Sequence, residues 1–161
     1  HTKHKEMKLT TRGRYAVTAM IDLALHAKVG YVRLAEIAER QHLSMAYLEQ
    51  LFRSLKKAHL VVSARGAKGG YRLARKAQEI SLAQILIAAG EHLNLACGAG
   101  TSCDEHNPCL THGIWTNLSA ELFGFLESKT LHSLANSRDV QTLATRQDVT
   151  QIGNIPVEVF R

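Results

Sequence analysis

Leu43-Ser44-Met45-Ala46-Tyr47-Leu48-Glu49-Gln50-Leu51-Phe52-Arg53-Ser54-Leu55 is the stretch whose reading decides the fold. Leu48, Leu51, Phe52 and Leu55 recur at i, i+3, i+4 and i+7, the buried stripe of an amphipathic helix. Ser44 stands where a side-chain oxygen caps the first turn. Ala46, Glu49, Gln50 and Arg53 fall on the opposite face, which is free to meet a partner. Just upstream, Leu34, Ile37 and Ala38 share one side of a shorter helix, and Gln41-His42-Leu43 leaves only a tight connection. Two helices joined this way describe a helix-turn-helix. Any small helical bundle gives a similar pattern, so the flanking segments have to decide.

Downstream, Leu60-Val61-Val62-Ser63-Ala64 and Tyr71-Arg72-Leu73 are strand candidates around the turn Arg65-Gly66-Ala67-Lys68-Gly69-Gly70. A hairpin in this position is a wing. Its glycines let the tip approach a phosphate backbone, and Arg65 and Lys68 carry the charge that such an approach requires. The glycines do not make a nucleotide-hydrolase phosphate loop, because the order of residues is wrong and a strand, not a helix, follows. Upstream, Gly13 to Ala27 reads as a first helix with Ala16, Met20, Leu23 and Ala27 inward and Thr11 as its cap. The fold class expected is mainly α with a small β wing: a winged helix-turn-helix domain plus a long dimerisation helix.

Charge is divided unevenly along the 161 residues. Residues 1 to 76 hold 16 Lys and Arg against 5 Asp and Glu, whereas residues 77 to 161 hold 4 against 9. A net of +11 in one half and −5 in the other suits a protein that offers one face to phosphates and keeps the rest away from them. No apolar run approaches the roughly 18 residues needed to cross a bilayer, and no export leader is apparent. The expected location is the cytoplasm, with no membrane partner. Residues 1–6 precede Met7, are polar and histidine-rich, and read as a remnant of expression.

After a helix opened by Ser81 and carrying Leu82, Ile85, Leu86 and Ala89, the chain reaches Cys97-Gly-Ala-Gly-Thr-Ser-Cys103-Asp-Glu-His-Asn-Pro-Cys109-Leu-Thr-His112. All 3 cysteines are here. An odd number leaves a disulfide scheme with a thiol over, and bridges inside so short a loop staple little. Three thiolates concentrate negative charge that a metal centre neutralises. Structural zinc favours ligands two to four residues apart, which only Cys109 and His112 approach. The wider gaps leave a loop able to wrap a two-iron, two-sulfide cluster, with zinc as the competing metal. His112 is preferred as fourth ligand because a helix start fixes its backbone. His92, His106, Asp104 and Glu105 are the other candidates.

Ile114, Trp115, Leu118, Leu122, Phe125 and Leu126 then keep helical spacing in a helix read as core and dimer seam. Thr130 caps a further short helix with Leu131 and Leu134. Beyond Arg138 the periodicity fades. The expected organisation is a winged domain over 7–80, the cysteine loop (97–112) and dimerisation helix within 81–137, and a polar, flexible tail over 138–161.

Lys8-Leu9-Thr10-Thr11-Arg12-Gly13-Arg14-Tyr15-Ala16-Val17-Thr18-Ala19-Met20, Ser44 with Tyr47 to Phe52, Arg65-Gly66 with Gly69-Gly70-Tyr71, and Cys109-Leu110-Thr111-His112 together resemble the IscR-type regulators of iron–sulfur cluster assembly. These belong to a winged-helix family that also includes the nitric-oxide sensor NsrR and the iron regulator RirA. The resemblance runs from about Met7 to Leu134. It implies a homodimer that binds a palindromic DNA operator and carries one [2Fe-2S] cluster per subunit on Cys97, Cys103, Cys109 and His112. It also implies that Ser44, Tyr47, Gln50 and Arg65 contact DNA and that Glu49 discriminates sequence, as a carboxylate that accepts from the cytosine amino group but repels phosphate does. Ala46 and His42 depart from the pattern, the first removing a hydroxyl from the reading face and the second placing a side chain where a turn glycine is expected.

The function expected is therefore a non-enzymatic regulator of cluster-assembly genes that senses cluster supply. A nitric-oxide- or iron-responsive regulator and a zinc-stabilised DNA-binding protein are the competing readings. A thiol redox enzyme has no Cys-x-x-Cys pair to support it.

Overall fold

The computed structural model describes residues 9–95, 103 and 106–153. The helix-turn-helix is formed by α2 (Leu34–Gln41) and α3 (Met45–Lys57), and the wing by β1 (Val61–Ala64) paired antiparallel with β2 (Gly70–Leu73). The pairing places Val61 opposite Leu73 and Ala64 opposite Gly70. Val32 adds a bridge to the free edge of β2, through reciprocal backbone hydrogen bonds with Tyr71 of 2.8 and 2.7 Å. The expected class, mainly α with a small β wing, is the one observed.

A first helix, α1 (Thr11–His26), runs behind this unit. It begins with Thr10 as cap residue, one position earlier than the sequence suggests. Ala16, Ala19, Met20 and Leu23 turn inward from α1 and meet Ile37 of α2, the stripe Leu48, Leu51, Phe52 and Leu55 of α3, and Leu60 and Val61 at the root of the wing. Ala16 and Ala19 let α1 approach its neighbours closely, while Met20 and Leu23 of α1 and the stripe of α3 supply large side chains. Ile80, Ile85 and Ala89, flanking and within α4 (Leu82–Ala88), complete this core with Leu131 of α6 (Leu131–Ala135).

The long helix α5 (His112–Ser128) is different in character. Leu126 is buried against Ala83 and Leu86, with Leu122 partly buried beside it. Ile114, Trp115, Leu118, Phe123 and Phe125 remain exposed, Ile114 to 60% and Phe125 to 57%. The predicted apolar stripe is thus present but largely uncovered in the chain. Among the described residues, no helix is long and apolar enough to cross a membrane.

The polar tail expected to be flexible after Arg138 is helical over its first part. Residues Arg138–Gly153 form a helix, α7. It docks on α1 and α2 by polar contacts: His26 Nε2 lies 3.1 Å from Asp148 Oδ1, and Gln41 and Gln147 exchange amide hydrogen bonds of 2.9 and 3.2 Å. Val140, Leu143 and Ala144 face α1 across a shallow cavity that also touches Ile21 and Leu25. Residues 154–161 lie outside the described residues.

Candidate nucleic-acid interface and cysteine loop

The outward face of α3 is built from its first turn. Ser44 is extended (φ −67°, ψ 135°), and its Oγ accepts from the Tyr47 amide at 3.2 Å, one of the N–H groups that a helix start leaves unpaired. Glu49, Gln50, Arg53 and Ala46 are exposed, as the spacing predicts. Tyr47 is half-buried, its ring meeting Tyr15 of α1 edge-on at 5.7 Å. Burial pushes its phenol above the usual range. Arg12 of α1 reaches the same helix, Nη2 donating to Ser54 Oγ at 2.8 Å.

The turn before α3 carries a conformational cost. His42 adopts the left-handed region at φ 54°, while the amide of Leu43 donates back to Ala38 at 3.0 Å. A side chain in this region costs about 1 kcal/mol relative to glycine. This is the strained turn that the missing glycine implies.

On the wing, Arg65 and Lys68 are exposed at the tip, and Gly69 N donates to Gly66 O at 3.0 Å to close the turn. Arg33 donates to the Ala67 carbonyl and pins the tip to the start of α2. Gly70 has φ 141°, and a Cβ there would overlap the Val32 carbonyl, so glycine is required beside the Val32–Tyr71 bridge. Lys56 at the end of α3 donates to Ser63 Oγ at 2.7 Å, tying helix and wing. The two proposed reading elements are therefore joined to each other, and cations line the junction.

Asp22 anchors the rear of the unit. It is fully buried and takes a forked pair of bonds from Arg40, Nε to Oδ2 at 2.9 Å and Nη2 to Oδ1 at 2.8 Å, plus one from Gln41 at 2.7 Å. Burial by itself raises a carboxyl, but the bonds from His26, Arg40 and Gln41 outweigh it and hold Asp22 at about 2. Of its partners only His26 is local, four residues on along α1; Arg40 and Gln41 lie 18 and 19 residues away, so the local sequence does not mark Asp22 as a hub.

The cysteine loop converges on the first turn of α5. Cys103 Sγ lies 3.2 Å from His112 Nδ1, and the Cys109 amide donates to the same sulfur at 3.2 Å. The His112 amide donates to the Cys109 carbonyl at 3.1 Å, so the last cysteine and the histidine share one turn. Cys109 Sγ meets Thr111 Oγ1 at 3.6 Å, and Trp115 Nε1 donates to that hydroxyl at 3.0 Å. Of the four predicted ligands, the Cys103 sulfur and the His112 ring meet, and Cys109 joins them through its backbone amide; Cys97, with Asp104 and Glu105, lies outside the described residues. His92 and His106 are exposed. Among the described residues, no set of three or more ligating side chains forms a metal-holding group.

Glu91, like Asp22, is a buried polar residue that escapes the sequence reading. Glu91 is 7% exposed, and its Oε1 accepts from Gly13 N at 3.0 Å, Thr10 N at 3.2 Å and Thr10 Oγ1. It caps α1 through Gly13, 78 residues earlier in the chain, and Thr10, 81 residues earlier. Only the glycine at 13, beside a possible helix start, could have hinted at so close an approach.

Residues 9–137 match the Rrf2 family model, described as an iron-dependent transcriptional regulator. The chain is 48% identical over 143 residues to the HTH-type transcriptional regulator IscR of Photorhabdus laumondii, covering 88% of this chain and 87% of that one. Among solved structures, it superposes on CymR, the global cysteine regulator of B. subtilis, with a TM-score of 0.70 at 34% identity, over 80% of this chain and 95% of that one. It superposes on T. potens IscR with a TM-score of 0.64 at 39% identity, over 79% and 85% respectively.

Proposed function

This chain belongs to the Rrf2 family of transcriptional regulators, and from that premise we propose that it is a homodimer that reads a palindromic operator and adjusts its binding to the state of a [2Fe-2S] cluster, controlling cluster-assembly genes. Its relatives are named as regulators rather than enzymes, and the chain is an IscR-like DNA-binding protein. The finer reading rests above all on one observation. The Cys103 sulfur meets the His112 ring and receives the Cys109 amide at the start of α5, the helix that leaves its apolar face exposed, a short chain distance from the winged unit.

The donor chemistry fits the group. A cysteine sulfur that receives a backbone N–H and lies 3.2 Å from an imidazole nitrogen forms a pair that a soft metal centre can hold together. Cys97, Cys103 and Cys109 would supply thiolates and His112 a neutral imidazole, which raises the reduction potential relative to a fourth thiolate. When bound, the cluster supplies a centre whose presence follows iron, sulfide and oxidant supply. The chain's own residues do the remainder. Arg65 and Lys68 contact phosphates from the wing, Ser44, Tyr47 and Gln50 position α3, and Glu49 accepts from cytosine in the major groove. Ile114, Leu118 and Phe125 form the seam with a second copy.

Anaerobic purification tests the reading. The expected protein is coloured, carries two irons per chain, and protects a palindromic site in footprinting. A colourless protein with stoichiometric zinc, binding the same DNA, would replace the sensing reading with a zinc-stabilised one.

A further inference from the structure

Glu91 occupies the point where the winged unit meets the root of the cysteine loop. Gly90 N bonds back to Ile87 O at 2.9 Å and Glu91 N to Leu86 O at 3.0 Å, which ends α4 and fixes the backbone of Glu91. Its side chain turns to the first turn of α1. There one carboxylate oxygen takes the amides of Thr10 and Gly13 and the Thr10 hydroxyl. An anion is favoured at this end of a helix, where unpaired N–H groups and the helix dipole coincide. Thr10 makes no cap bond of its own to α1, so the cap comes from Glu91. Gly13 is needed for it: a Cβ there would stand 2.7 Å from Glu91 Cγ and Oε1.

On its other side α1 holds the recognition helix at two places, Arg12 to Ser54 and Tyr15 to Tyr47. Arg12 Nε is buried with no hydrogen-bond partner among the described residues, so the guanidinium is held by its position on α1 rather than by a full set of bonds. A few residues beyond Glu91, Leu95 N donates to Ser119 Oγ at 2.8 Å, fastening the loop root to α5. Two steps of contact therefore connect the loop root to α3: Glu91 to the first turn of α1, and that same turn to Ser54 and Tyr47.

We propose that Glu91 is a positioning residue that transmits the state of the cysteine loop to the recognition helix by capping α1. The inference rests on the reading of the loop as a cluster site and of α3 as the DNA-reading helix. A helix turn is stiff, so displacing its cap moves Arg12 and Tyr15 together and carries Ser54 and Tyr47 with them. Without the cap, α3 takes the same position whatever the loop holds.

The test compares the parent with Glu91→Ala, Glu91→Gln and Gly13→Ala, each prepared cluster-loaded and metal-free. Operator affinity and amide hydrogen exchange are measured for each. Glu91→Gln keeps an accepting oxygen and is expected to keep most of the parent's loaded-to-free affinity ratio. Glu91→Ala is expected to bring that ratio to within about twofold of one, with an unchanged visible spectrum. Gly13→Ala keeps the carboxylate but displaces it, and alanine suits a helix at that position, so it covers the case in which Glu91→Ala fails to fold. In both disruptive variants, exchange is expected to quicken by tenfold or more at Thr10–Arg14 and to rise in α3 around Tyr47 and Ser54. An unchanged affinity ratio in the disruptive variants would overturn the proposal. If the parent shows no ratio to lose, the sensing reading fails instead and the exchange data decide: faster exchange in α3 supports the link, and an effect confined to Thr10–Arg14 overturns it.

Discussion

Raising the pH from 6.5 to 10 is expected to weaken the docking of α7 and with it the stability of the whole chain. His26 carries this dependence. Its Nδ1 lies 3.3 Å from Asp22 Oδ1 and its Nε2 lies 3.1 Å from Asp148 Oδ1, so one imidazolium joins a buried carboxylate on its own helix to one on α7. The bond to Asp22 is the largest influence and, against the opposing effect of burial, raises the imidazole from 6.5 to about 9, with Asp148 adding to it. A histidine raised in the folded state contributes fully below the unfolded value of 6.5, and the contribution disappears as pH climbs through about 9. At about 1.4 kcal/mol per pH unit, the interval sets a ceiling of roughly 3 kcal/mol. His26 is 22% exposed and Asp148 is 50% exposed, so screening lowers the expected value to about 1–2 kcal/mol. Urea denaturation of the parent and His26→Gln from pH 6 to 10 measures it. The two stabilities should differ most near pH 6 and converge above pH 9. A difference that stays constant across the range would refute the assignment of the charge to His26.

The remaining predictions concern the site and the wing. Cys103→Ala and His112→Ala are each expected to cut iron content and visible absorption by more than half while leaving far-ultraviolet circular dichroism unchanged. Glu49→Ala should narrow the affinity gap between operator and random duplex, and Arg65→Ala should weaken both and lower the salt slope by about one. Gly70→Ala should destabilise the chain by about 1–3 kcal/mol in thermal denaturation, because it adds a side chain at a left-handed φ and against the Val32 carbonyl.

The parts of the fold that local pattern controls are the parts a reader of the sequence recovers. The α3 stripe, Ser44 as a working cap and the glycine-bounded wing all depend on residues within a few positions of one another. The cysteine loop was legible for the same reason, since Cys109 and His112 share one turn. What escaped depends on distant partners. The apolar positions Val140, Leu143 and Ala144 of α7 are too few to announce a packed helix, and its remaining anchors, Asp148 and Gln147, find their partners 122 and 106 residues away. Glu91 looks like a surface acid until the start of α1 is folded onto it. The exposed face of α5 was legible as apolar, but a single chain gives that face nothing to cover it.

The indole of Trp115 makes the cysteine loop observable in solution. It is the sole tryptophan of the chain, and its Nε1 is bonded to the hydroxyl that also meets Cys109 Sγ. The four tyrosines lie at 15, 31, 47 and 71, on α1 and in the segments that form the helix-turn-helix and wing. Fluorescence excited at the red edge, where tyrosine does not absorb, therefore comes from one ring beside the thiols. Emission intensity and wavelength follow the occupancy of the loop without any attached dye, and a stopped-flow trace of that signal times the loss of whatever the thiols hold.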